Sequence, residues 1–370
     1  MHKKKILHII TSLGDGGAEG VLYRLITNSP QDYHHEVIAL SVDRKYENLL
    51  REKKIKVHNI NLLKNKFEIK KLINLYKIIK QKKNYIIQTW LYHSDFLGGL
   101  FAYLSGNRNI FWNIRTSEIS LKSTKLKTLL IIYFNAFLSW FVPKKIIICS
   151  QRSIKVHRSV GYRNNFKLIH NGFDIKIFEK SKSYKRKLFK LNNKQILIGN
   201  VARYHPVKNH EYLFLIFSKL QKNLDIKLIL AGTNMNERNK ELMKMLDRYK
   251  IRDKVILLGR RDDIMKIYKI FDIFILTSLS EGFPNVLAEA MINNNICFST
   301  NVGDSDIILR NKSFIIPHND DEKVVKAIKR IIDKKNSREW KMIKEKNKKH
   351  IVNHFSLNKM TNRYLNVWRR

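Results

Sequence analysis

The chain has 370 residues, room for two domains of ordinary size, and its 44% hydrophobic content is enough for each domain to bury a core. Its 72 Lys and Arg against 31 Asp and Glu give a formal net charge of +41. Such a charge attracts polyanions or anionic lipid surfaces and carries no information about the fold.

Cysteine content and apolar runs limit the class of protein. Cys149 and Cys297 each lie in an apolar run without metal-ligand spacing, which predicts buried free thiols in a reducing compartment. Residues 1–10 lack the apolar core and cleavage site of a signal peptide. The longest apolar run, residues 129–142, is too short for a membrane-spanning helix. Lysines flank this run, so an interfacial helix is an alternative, but we favour a buried core helix.

Short apolar runs alternate with helical patterns along the first half of the chain. This alternation is typical of an α/β protein with parallel sheets. The predicted strands of this half lie at 5–10, 36–40, 56–60, 86–88, 110–112, 145–149 and 167–169. A turn at 171–174 closes the half, and the Lys-rich residues 176–192 predict a linker.

A second α/β unit begins at the apolar run 196–201. Its further strands are predicted at 227–230, 255–258, 273–276, 296–299 and, as a short last strand, 314–317. The tail at 355–370 carries apolar side chains at helical spacing and predicts a closing helix. We therefore predict one domain over residues 1–180 and a second over residues 190–354.

Basic residues are concentrated early in the chain. Residues 51–85 contain twelve Lys or Arg and only two Glu. A solvated helix face explains this excess as well as a membrane-facing surface does, and the sequence leaves both open.

A glycine-rich loop follows the first predicted strand. Gly16 and Gly17 stand where a strand passes into a helix, a layout in which backbone N–H groups can approach a phosphate. The loop lacks the spacing of a dinucleotide fingerprint and the lysine of a P-loop. A tight turn without a ligand remains an equal interpretation.

Two cations follow the first strand of the second half. Arg203 and Lys208 lie in a loop at the strand's carboxyl end, the edge at which open α/β sheets bind ligands. Arg can bind a diphosphate in bidentate fashion and Lys as a point charge. Because the chain has 72 Lys and Arg, a basic pair alone indicates little. This pair is informative because it lies at the carboxyl end of a strand.

The most informative segment reads Glu-Gly-Phe-Pro-Asn-Val-Leu-Ala-Glu at 281–289. Pro284 suits the first turn of a helix, whose positive end attracts an anion. Glu289, one turn into the helix, could accept hydrogen bonds from a ribose diol, and Glu281 could bind sugar hydroxyls. The N–H groups expected to face a phosphate are those of Asn285, Val286 and Leu287. Phosphate and sugar together indicate an enzyme that uses a nucleotide sugar.

Two residues of the first half also stand at strand ends. His93 follows the strand at 86–88 and is a candidate acid/base or sugar-hydroxyl contact, although a lone histidine is more often structural. Arg115 ends the next strand and could meet a phosphate or the acceptor.

In order and spacing, these motifs resemble those of retaining glycosyltransferases of family 4, which have the GT-B fold. The resemblance covers nearly the whole chain. Its further motifs are Gly-Gly-Ala-Glu at 16–19, Gln-Thr-Trp-Leu-Tyr-His at 88–93, Trp-Asn-Ile-Arg at 112–115, Asn-Gly-Phe-Asp at 171–174, Val-Ala-Arg at 201–203, Leu-Ala-Gly at 230–232, Leu-Gly-Arg at 258–260 and Asn-Val-Gly-Asp at 301–304. One departure is Ile-Asn-Asn-Asn at 292–295, where many relatives have a glycine; Asn tolerates the left-handed conformation, so a helix can still end there.

The resemblance implies two facing Rossmann-like domains with a cleft between them. The second would bind the nucleoside diphosphate, and the first the acceptor, with the helix at 355–370 crossing back to close the first. The implied donor contacts are Arg203 and Lys208 with the diphosphate, Glu289 with the ribose, Glu281 with the sugar, Gly259 and Arg260 with the base, Gly16 and Gly17 with the phosphate, and His93 near the transferred sugar.

The resemblance also implies the reaction. A hexose or acetamido-hexose would pass from a nucleotide-diphosphate sugar, more readily UDP- than GDP-linked, to a lipid-linked or polysaccharide acceptor, with retention and without a metal or other cofactor. Such a role belongs to bacterial surface polysaccharide synthesis, such as that of O-antigen, capsule or lipopolysaccharide. Together with the basic charge it predicts a peripheral protein on the inner face of the cytoplasmic membrane.

The sequence leaves two alternative functions open. An epimerase of the same fold would turn over the donor without an acceptor. A nucleic-acid-binding protein is suggested by charge alone, but the basic residues are not interleaved with aromatic ones as in a stacking platform, and we expect no nucleic-acid partner. The sequence does not define the oligomeric state.

Overall fold

A computed structural model describes residues 3–62, 68–119, 124–192 and 194–369. The chain divides into two compact units, Met1–Gly172 with Leu357–Arg370, and Phe173–Ser356. Each unit has a parallel β-sheet covered by helices, which confirms the predicted α/β class.

The first unit has a seven-stranded sheet in which every predicted strand of the first half is present. Its strand order is 3-2-1-4-5-6-7, so the order reverses between the first and fourth strands. The strands are β1 (Lys4–Ile10), β2 (Tyr33–Ala39), β3 (Lys56–Asn59), β4 (Ile86–Trp90), β5 (Ile110–Ile114), β6 (Lys145–Ile148) and β7 (Phe166–Leu168).

The second unit has a six-stranded sheet with the same kind of topology. Its order, β10-β9-β8-β11-β12-β13, reverses between β8 and β11. The strands are β8 (Ile196–Val201), β9 (Ile226–Ala231), β10 (Val255–Leu257), β11 (Ile273–Leu276), β12 (Ile296–Thr300) and β13 (Ile315–Ile316). Ligands of open α/β sheets bind outside the carboxyl ends of the strands at such a reversal, so each unit offers one such edge.

Helices connect the strands as the periodicity predicts. In chain order they are α1 (Gly17–Thr27), α2 (Lys45–Glu52), α3 (Ile69–Gln81), α4 (Tyr92–Leu104), α5 (Leu126–Leu138), α6 (Gln151–Ser159), α7 (Ile175–Lys180), α8 (His210–Leu220), α9 (Lys240–Arg248), α10 (Ile264–Tyr268), α11 (Asn285–Ile292), α12 (Ser305–Leu309), α13 (Asp321–Ile332), α14 (Arg338–His354) and α15 (Leu357–Arg369). Short 3-10 turns lie at Arg186–Phe189, Pro206–Lys208, Arg252–Lys254 and Lys312–Phe314. Asn294, after α11, has φ +60°, which confirms that Asn holds the left-handed conformation at this helix end.

The last helix, α15, packs in the first unit, as the resemblance implies. Its buried face joins the core formed by α1 and one face of the sheet. The Nε1 of Trp368 donates to Oε1 of Gln88 at 3.1 Å, and the hydroxyl of Tyr364 accepts from Nδ2 of Asn113 at 2.8 Å. Both partners lie on central strands, so α15 is an integral part of this unit.

The division between the units falls after Gly172, earlier than the boundary predicted at residue 180. The N–H of Phe173 donates to the carbonyl of Phe355 at 2.9 Å. Glu179, within α7, forms an ion pair with Lys348 at 3.1 Å. The Lys-rich composition predicted a linker here, because it could not show that α7 contacts residues of the second unit that are distant in sequence.

The apolar run at 129–142 is only partly a core helix. Leu129, Ile132 and Ala136 of α5 are buried in the first unit, but its opposite face exposes large apolar side chains such as Phe137. Helical periodicity cannot show whether a second apolar face is covered, which is why this prediction was wrong in part. Among the described helices, none has both the length and the apolar character needed to cross a bilayer. Cys149 and Cys297 are buried free thiols, as predicted.

Buried histidines make the fold sensitive to acid. Burial is the main cause that lowers the pKa of His35, His157 and His210 to about 4. In the unfolded chain these groups titrate near pH 6.5, so their stabilising contribution is complete above that pH and is lost as the pH falls toward 4. Asp95 contributes with the opposite sign to the free energy of unfolding, because burial raises its pKa to about 7 in the folded protein. Its protonation as the pH falls therefore offsets part of the stability that the histidines lose.

We therefore expect the free energy of unfolding to fall between about pH 7 and about pH 4.5. Denaturant titrations across this range measure it. A His157→Gln variant should lose part of the pH dependence, because Gln does not take up a proton on unfolding. An equal free energy of unfolding at both pH values would contradict this account.

Candidate functional site

In the second unit, the loops that follow β8 and β11 are tied together. These neighbouring strands lie at the reversal of the sheet order. The hydroxyl of Thr277 donates to the carbonyls of Lys208 and Asn209 at 3.2 and 3.0 Å, and the N–H of Leu279 donates to the carbonyl of Val207 at 2.8 Å. The two loops therefore hold their side chains at one edge of the sheet.

A half-buried ion pair lies in these loops. The Nζ of Lys208 is 2.7 Å from Oε1 of Glu281, and the hydroxyl of Ser278 donates to the same oxygen at 2.7 Å. The side chains of Lys208 and Glu281 are 20% and 14% exposed. The sequence predicted the cation for a phosphate and the carboxylate for a sugar; the structure brings the two into direct contact and adds Ser278, which the sequence analysis did not identify.

Arg203 adds a positive charge to the same loop. Its side chain is exposed and makes no hydrogen bond or ion pair with another residue in the described part of the chain. The effect of the local charge is seen at His205, whose pKa is lowered by desolvation first and then by Arg203 and Lys208. The Nδ1 of His205 accepts the N–H of Val207 at 3.2 Å. The loop after β8 is thus a positive edge.

The start of α11 offers fewer amide donors than the sequence predicted. Pro284 precedes the helix instead of occupying its first turn. The N–H of Asn285 donates to the carbonyl of Phe283 at 2.9 Å, and that of Leu287 to the carbonyl of Pro284 at 3.1 Å. Of the three predicted donors, only the N–H of Val286 has no acceptor among the described residues. The N–H groups of Asn285 and Leu287 donate to carbonyls of the turn itself, and composition does not show such local bonds.

Glu289 is held by a tyrosine that the sequence analysis did not single out. The hydroxyl of Tyr268, at the end of α10, donates to Oε2 of Glu289 at 3.1 Å. Burial, followed by the nearby carboxylate, raises the pKa of Tyr268 well above its ordinary value, so the hydroxyl keeps its proton. A tyrosine five residues before a buried strand is a weak signal, because most such residues serve only the core.

The loop before α11 is packed on two sides. The ring of Phe283 lies 5.6 Å from that of Phe355 and 6.5 Å from that of Phe173, between centroids. On the other side, Gly303 has φ +55°, and a Cβ there would lie 2.8 Å from the carbonyl oxygen of Gly282. This close approach needs a glycine and fixes the backbone beside Glu281.

The residues predicted for the base lie after β10. Gly259 has φ +60°, donates its N–H to the carbonyl of Met235 at 2.7 Å and accepts from the N–H of Gly232 at 2.8 Å. The side chain of Arg260 is 50% exposed, with Nη2 3.9 Å from Oδ1 of Asp262. Hydrogen bonds to Met235 and Gly232 therefore hold the backbone of Gly259, and the side chain of Arg260 extends into solvent.

In the first unit, the glycine loop already contains a carboxylate. Gly16 precedes α1, which begins at Gly17, and a Cβ on Gly16 would lie 2.2 Å from Oε2 of Glu19. The hydroxyl of Ser12 donates to Oε1 of Glu19 at 2.9 Å, and burial raises the pKa of Glu19. The carboxylate of Glu19 therefore occupies the space beside Gly16, and the approach of this glycine to a phosphate stays a prediction.

His93 lies in the first turn of α4, after β4. This turn is fixed by three contacts: the hydroxyl of Tyr92 donates to Nε2 of His157 at 2.7 Å, its carbonyl accepts Nδ2 of Asn135 at 2.9 Å, and the hydroxyl of Ser94 lies 3.3 Å from that of Thr11. Burial lowers the pKa of His93. A neutral imidazole is thus held at the carboxyl edge of β4, beside the glycine loop.

Arg115 is engaged inside the first unit. Its Nη2 donates to Oδ1 of Asn171, and its guanidinium lies 5.7 Å from the ring centroid of Trp90. These contacts give Arg115 a structural part at the ends of the central strands. Across the described residues, no three His, Cys, Asp or Glu side chains form a group that could hold a metal ion.

Residues 181–350 match the model of the family described as glycosyl transferases group 1. The chain is 27% identical, over 75% of its length and 73% of the relative, to the UDP-Gal:alpha-D-GlcNAc-diphosphoundecaprenol alpha-1,3-galactosyltransferase of Escherichia coli. It is 22% identical, over 78% of its length and 77% of the relative, to the capsular polysaccharide biosynthesis glycosyltransferase CapM of Staphylococcus aureus.

The fold is shared with solved glycosyltransferase structures. Anabaena Alr3699/HepE, solved in complex with UDP and glucose, superposes with a TM-score of 0.82 over 99% of both chains at 19% identity. TarM superposes with a TM-score of 0.77 over 99% of both chains at 13% identity. Family match, relatives and fold agree: residues 181–350 match the group 1 glycosyltransferases, and the chain is a glycosyltransferase with the GT-B fold, which has two Rossmann-like domains.

Proposed function

We propose that this enzyme transfers a hexose or acetamido-hexose from a UDP-sugar to a lipid-linked or polysaccharide acceptor in bacterial surface polysaccharide synthesis. The observation that carries the proposal is the cluster of Lys208, Glu281 and Ser278 at the carboxyl edge of β8 and β11. A cation for a diphosphate and a carboxylate for sugar hydroxyls are the two groups that a nucleotide sugar needs.

The names of the relatives support the choice of donor and acceptor. The Escherichia coli relative is named for UDP-Gal and a diphosphoundecaprenol acceptor, and that of Staphylococcus aureus for capsular polysaccharide. HepE was solved with UDP and with UDP-glucose. A lipid-linked acceptor would require a peripheral position on the inner face of the cytoplasmic membrane.

In this proposal, donor binding rearranges the ion pair. The diphosphate carries more negative charge than one carboxylate, so it competes with Glu281 for Lys208. Once released, Glu281 accepts hydrogen bonds from the hydroxyls of the donor sugar. Arg203, which is exposed on the same loop, adds a second cation for the diphosphate.

The nucleoside is assigned to the neighbouring elements. Glu289, oriented by the hydroxyl of Tyr268, binds the ribose diol. Gly259 and Arg260 contact the base. From the first unit, Gly16 and Gly17 approach the phosphate and His93 contacts the transferred sugar, while Arg115 holds the acceptor edge of that unit through its contact with Asn171.

The proposed reaction proceeds with retention at the anomeric carbon. The acceptor hydroxyl forms the new C–O bond on the face from which UDP leaves, and its proton passes to an oxygen of the departing diphosphate. The bond between the anomeric carbon and the diphosphate oxygen breaks, and its electron pair leaves with UDP. Arg203 and Lys208 stabilise the charge that develops on the leaving group, the part that a metal ion plays in other transferases.

Substitutions of the ion pair separate its two roles. Lys208→Met should weaken UDP binding by at least about tenfold, because a charge-assisted contact is lost. Glu281→Gln should bind UDP as well as the wild type or better, since Lys208 is freed, yet lose transfer by at least about 100-fold. Calorimetry with UDP and transfer assays in EDTA, where the wild type should remain active, measure both effects.

The matched control is Lys334→Met, which breaks an ion pair of the same 2.7 Å length with Glu339 on the exposed surface of the same unit. It should leave UDP affinity and transfer unchanged. A Lys208→Met variant with wild-type UDP affinity would show that the diphosphate binds elsewhere.

Gly303→Ala tests the packing of the loop beside Glu281. The added Cβ meets the backbone of Gly282, so we expect lower transfer activity and a loss of stability of about 1–2 kcal/mol from the positive φ. Gly106→Ala is the control, because Gly106 also has a positive φ (+88°) but no atom within 4 Å of the added Cβ. Equal transfer by both variants would argue against a positioning role for this contact.

The ribose assignment predicts a preference for UDP over 2′-deoxy-UDP. Tyr268→Phe keeps the buried ring and removes the hydroxyl that orients Glu289, so the preference should fall by about fivefold, the value of one hydrogen bond. Competition binding with the two nucleotides gives the ratio. If wild type and variant discriminate equally, Glu289 does not bind the ribose.

A further inference from the structure

Helix α5 of the first unit exposes a stripe of large apolar side chains. We name it the α5 face, and it consists of Leu130, Tyr133, Phe134, Phe137, Trp140 and Phe141. Each of these side chains is 55% exposed or more. Their spacing of three and four residues places them on one side of the helix and of the turn that follows it. A contiguous apolar patch of this kind marks an interaction surface.

The core of the unit does not need the α5 face. The opposite side of the helix, with Leu129, Ile132 and Ala136, is buried against the sheet. Asn135 anchors the helix to α4 by donating to the carbonyl of Tyr92 at 2.9 Å. The helix is therefore fixed by one face while the other presents aromatic and aliphatic side chains outward.

Charge around the α5 face identifies its partner. Residues 119–173 contain ten Lys or Arg and not one Asp or Glu. Lys125 and Lys127 are exposed at the start of the helix, and Lys144 and Lys145 are exposed after it. A second copy of this chain would bring two such positive surfaces together, which repels. An anionic membrane satisfies both the apolar face and the surrounding cations.

We propose that α5 lies in the plane of an anionic membrane, with the α5 face at the boundary of headgroups and acyl chains. The proposal rests on the proposed function, since a lipid-linked acceptor requires the enzyme at a membrane. The contact between Asn135 and Tyr92 joins the docked helix to the first turn of α4, one residue from His93. Membrane docking would thereby place the carboxyl edge of the first sheet next to acceptors in the bilayer.

The five tryptophans offer a direct readout of docking. Trp140 is 55% exposed, whereas Trp90, Trp112, Trp340 and Trp368 are each exposed by 4% or less. A change in tryptophan emission on adding vesicles therefore reports on the α5 face. The full chain is mixed with vesicles of phosphatidylcholine alone or in equal mixture with phosphatidylglycerol, and brominated lipids serve as quenchers at the acyl chains.

We expect flotation with the anionic vesicles, a blue-shifted emission and quenching by brominated lipid. The double variant Phe137→Ser, Phe141→Ser should lower vesicle affinity by at least about tenfold, because two apolar rings are lost from the buried area. The matched control Ile177→Ser, Leu188→Ser removes two large apolar side chains that are also exposed, in the second unit, and should bind vesicles like the wild type.

Three results would overturn the proposal: no flotation at low salt, equal binding by the double variant and the wild type, or a dimer in solution that the double variant dissociates. Transfer to a short, water-soluble acceptor separates this inference from the proposed function. If only docking is wrong, the wild type still transfers sugar and fails to bind vesicles. If only the proposed function is wrong, vesicle binding persists without transfer of sugar from a UDP-sugar.

Discussion

The ion pair between Lys208 and Glu281 is the interaction on which the account of the site depends. Two opposite charges are held 2.7 Å apart and mostly out of water, on loops that follow neighbouring strands. Desolvation makes each charge unfavourable without the other, so the pair exists because β8 and β11 are adjacent at the reversal of the sheet. The contacts of Thr277 and Leu279 then keep the loops together. In the proposed function, a more highly charged anion replaces Glu281 at Lys208, and this gives the site a means of responding to its donor.

The first unit is built on a different constraint, the burial of polar aromatic groups between α15 and the sheet. His8 lies fully buried, accepts Nε1 of Trp90 at 3.2 Å and contacts His35 at 3.0 Å. Trp368 closes this group from α15. The network holds β4, and His93 follows this strand, so the network connects α15 to the position of a predicted site residue. Burial lowers the pKa of both histidines and so favours their neutral forms.

Much of the fold could be predicted because parallel strands that are buried on both faces have short, nearly continuous apolar sequences. Each predicted strand is present, and the amphipathic tail is the helix α15. The pairing of Lys208 with Glu281 could not be derived, since it joins residues 73 positions apart through the strand order. The same holds for Tyr268 and Glu289. For the α5 face, the sequence kept an interfacial helix only as the less favoured alternative, because periodicity identifies the apolar sides of a helix but not which of them the fold covers. Arg115 shows the converse, a strand-end cation whose contacts with Asn171 and Trp90 lie within its own unit.

A structure of the enzyme with bound UDP-glucose tests the proposed exchange at Lys208. We expect Nζ of Lys208 within hydrogen-bonding distance of the diphosphate and the carboxylate of Glu281 at the sugar hydroxyls. The separation of these two groups should then exceed the present 2.7 Å. A bound donor with the ion pair intact and its phosphates on other residues would contradict it.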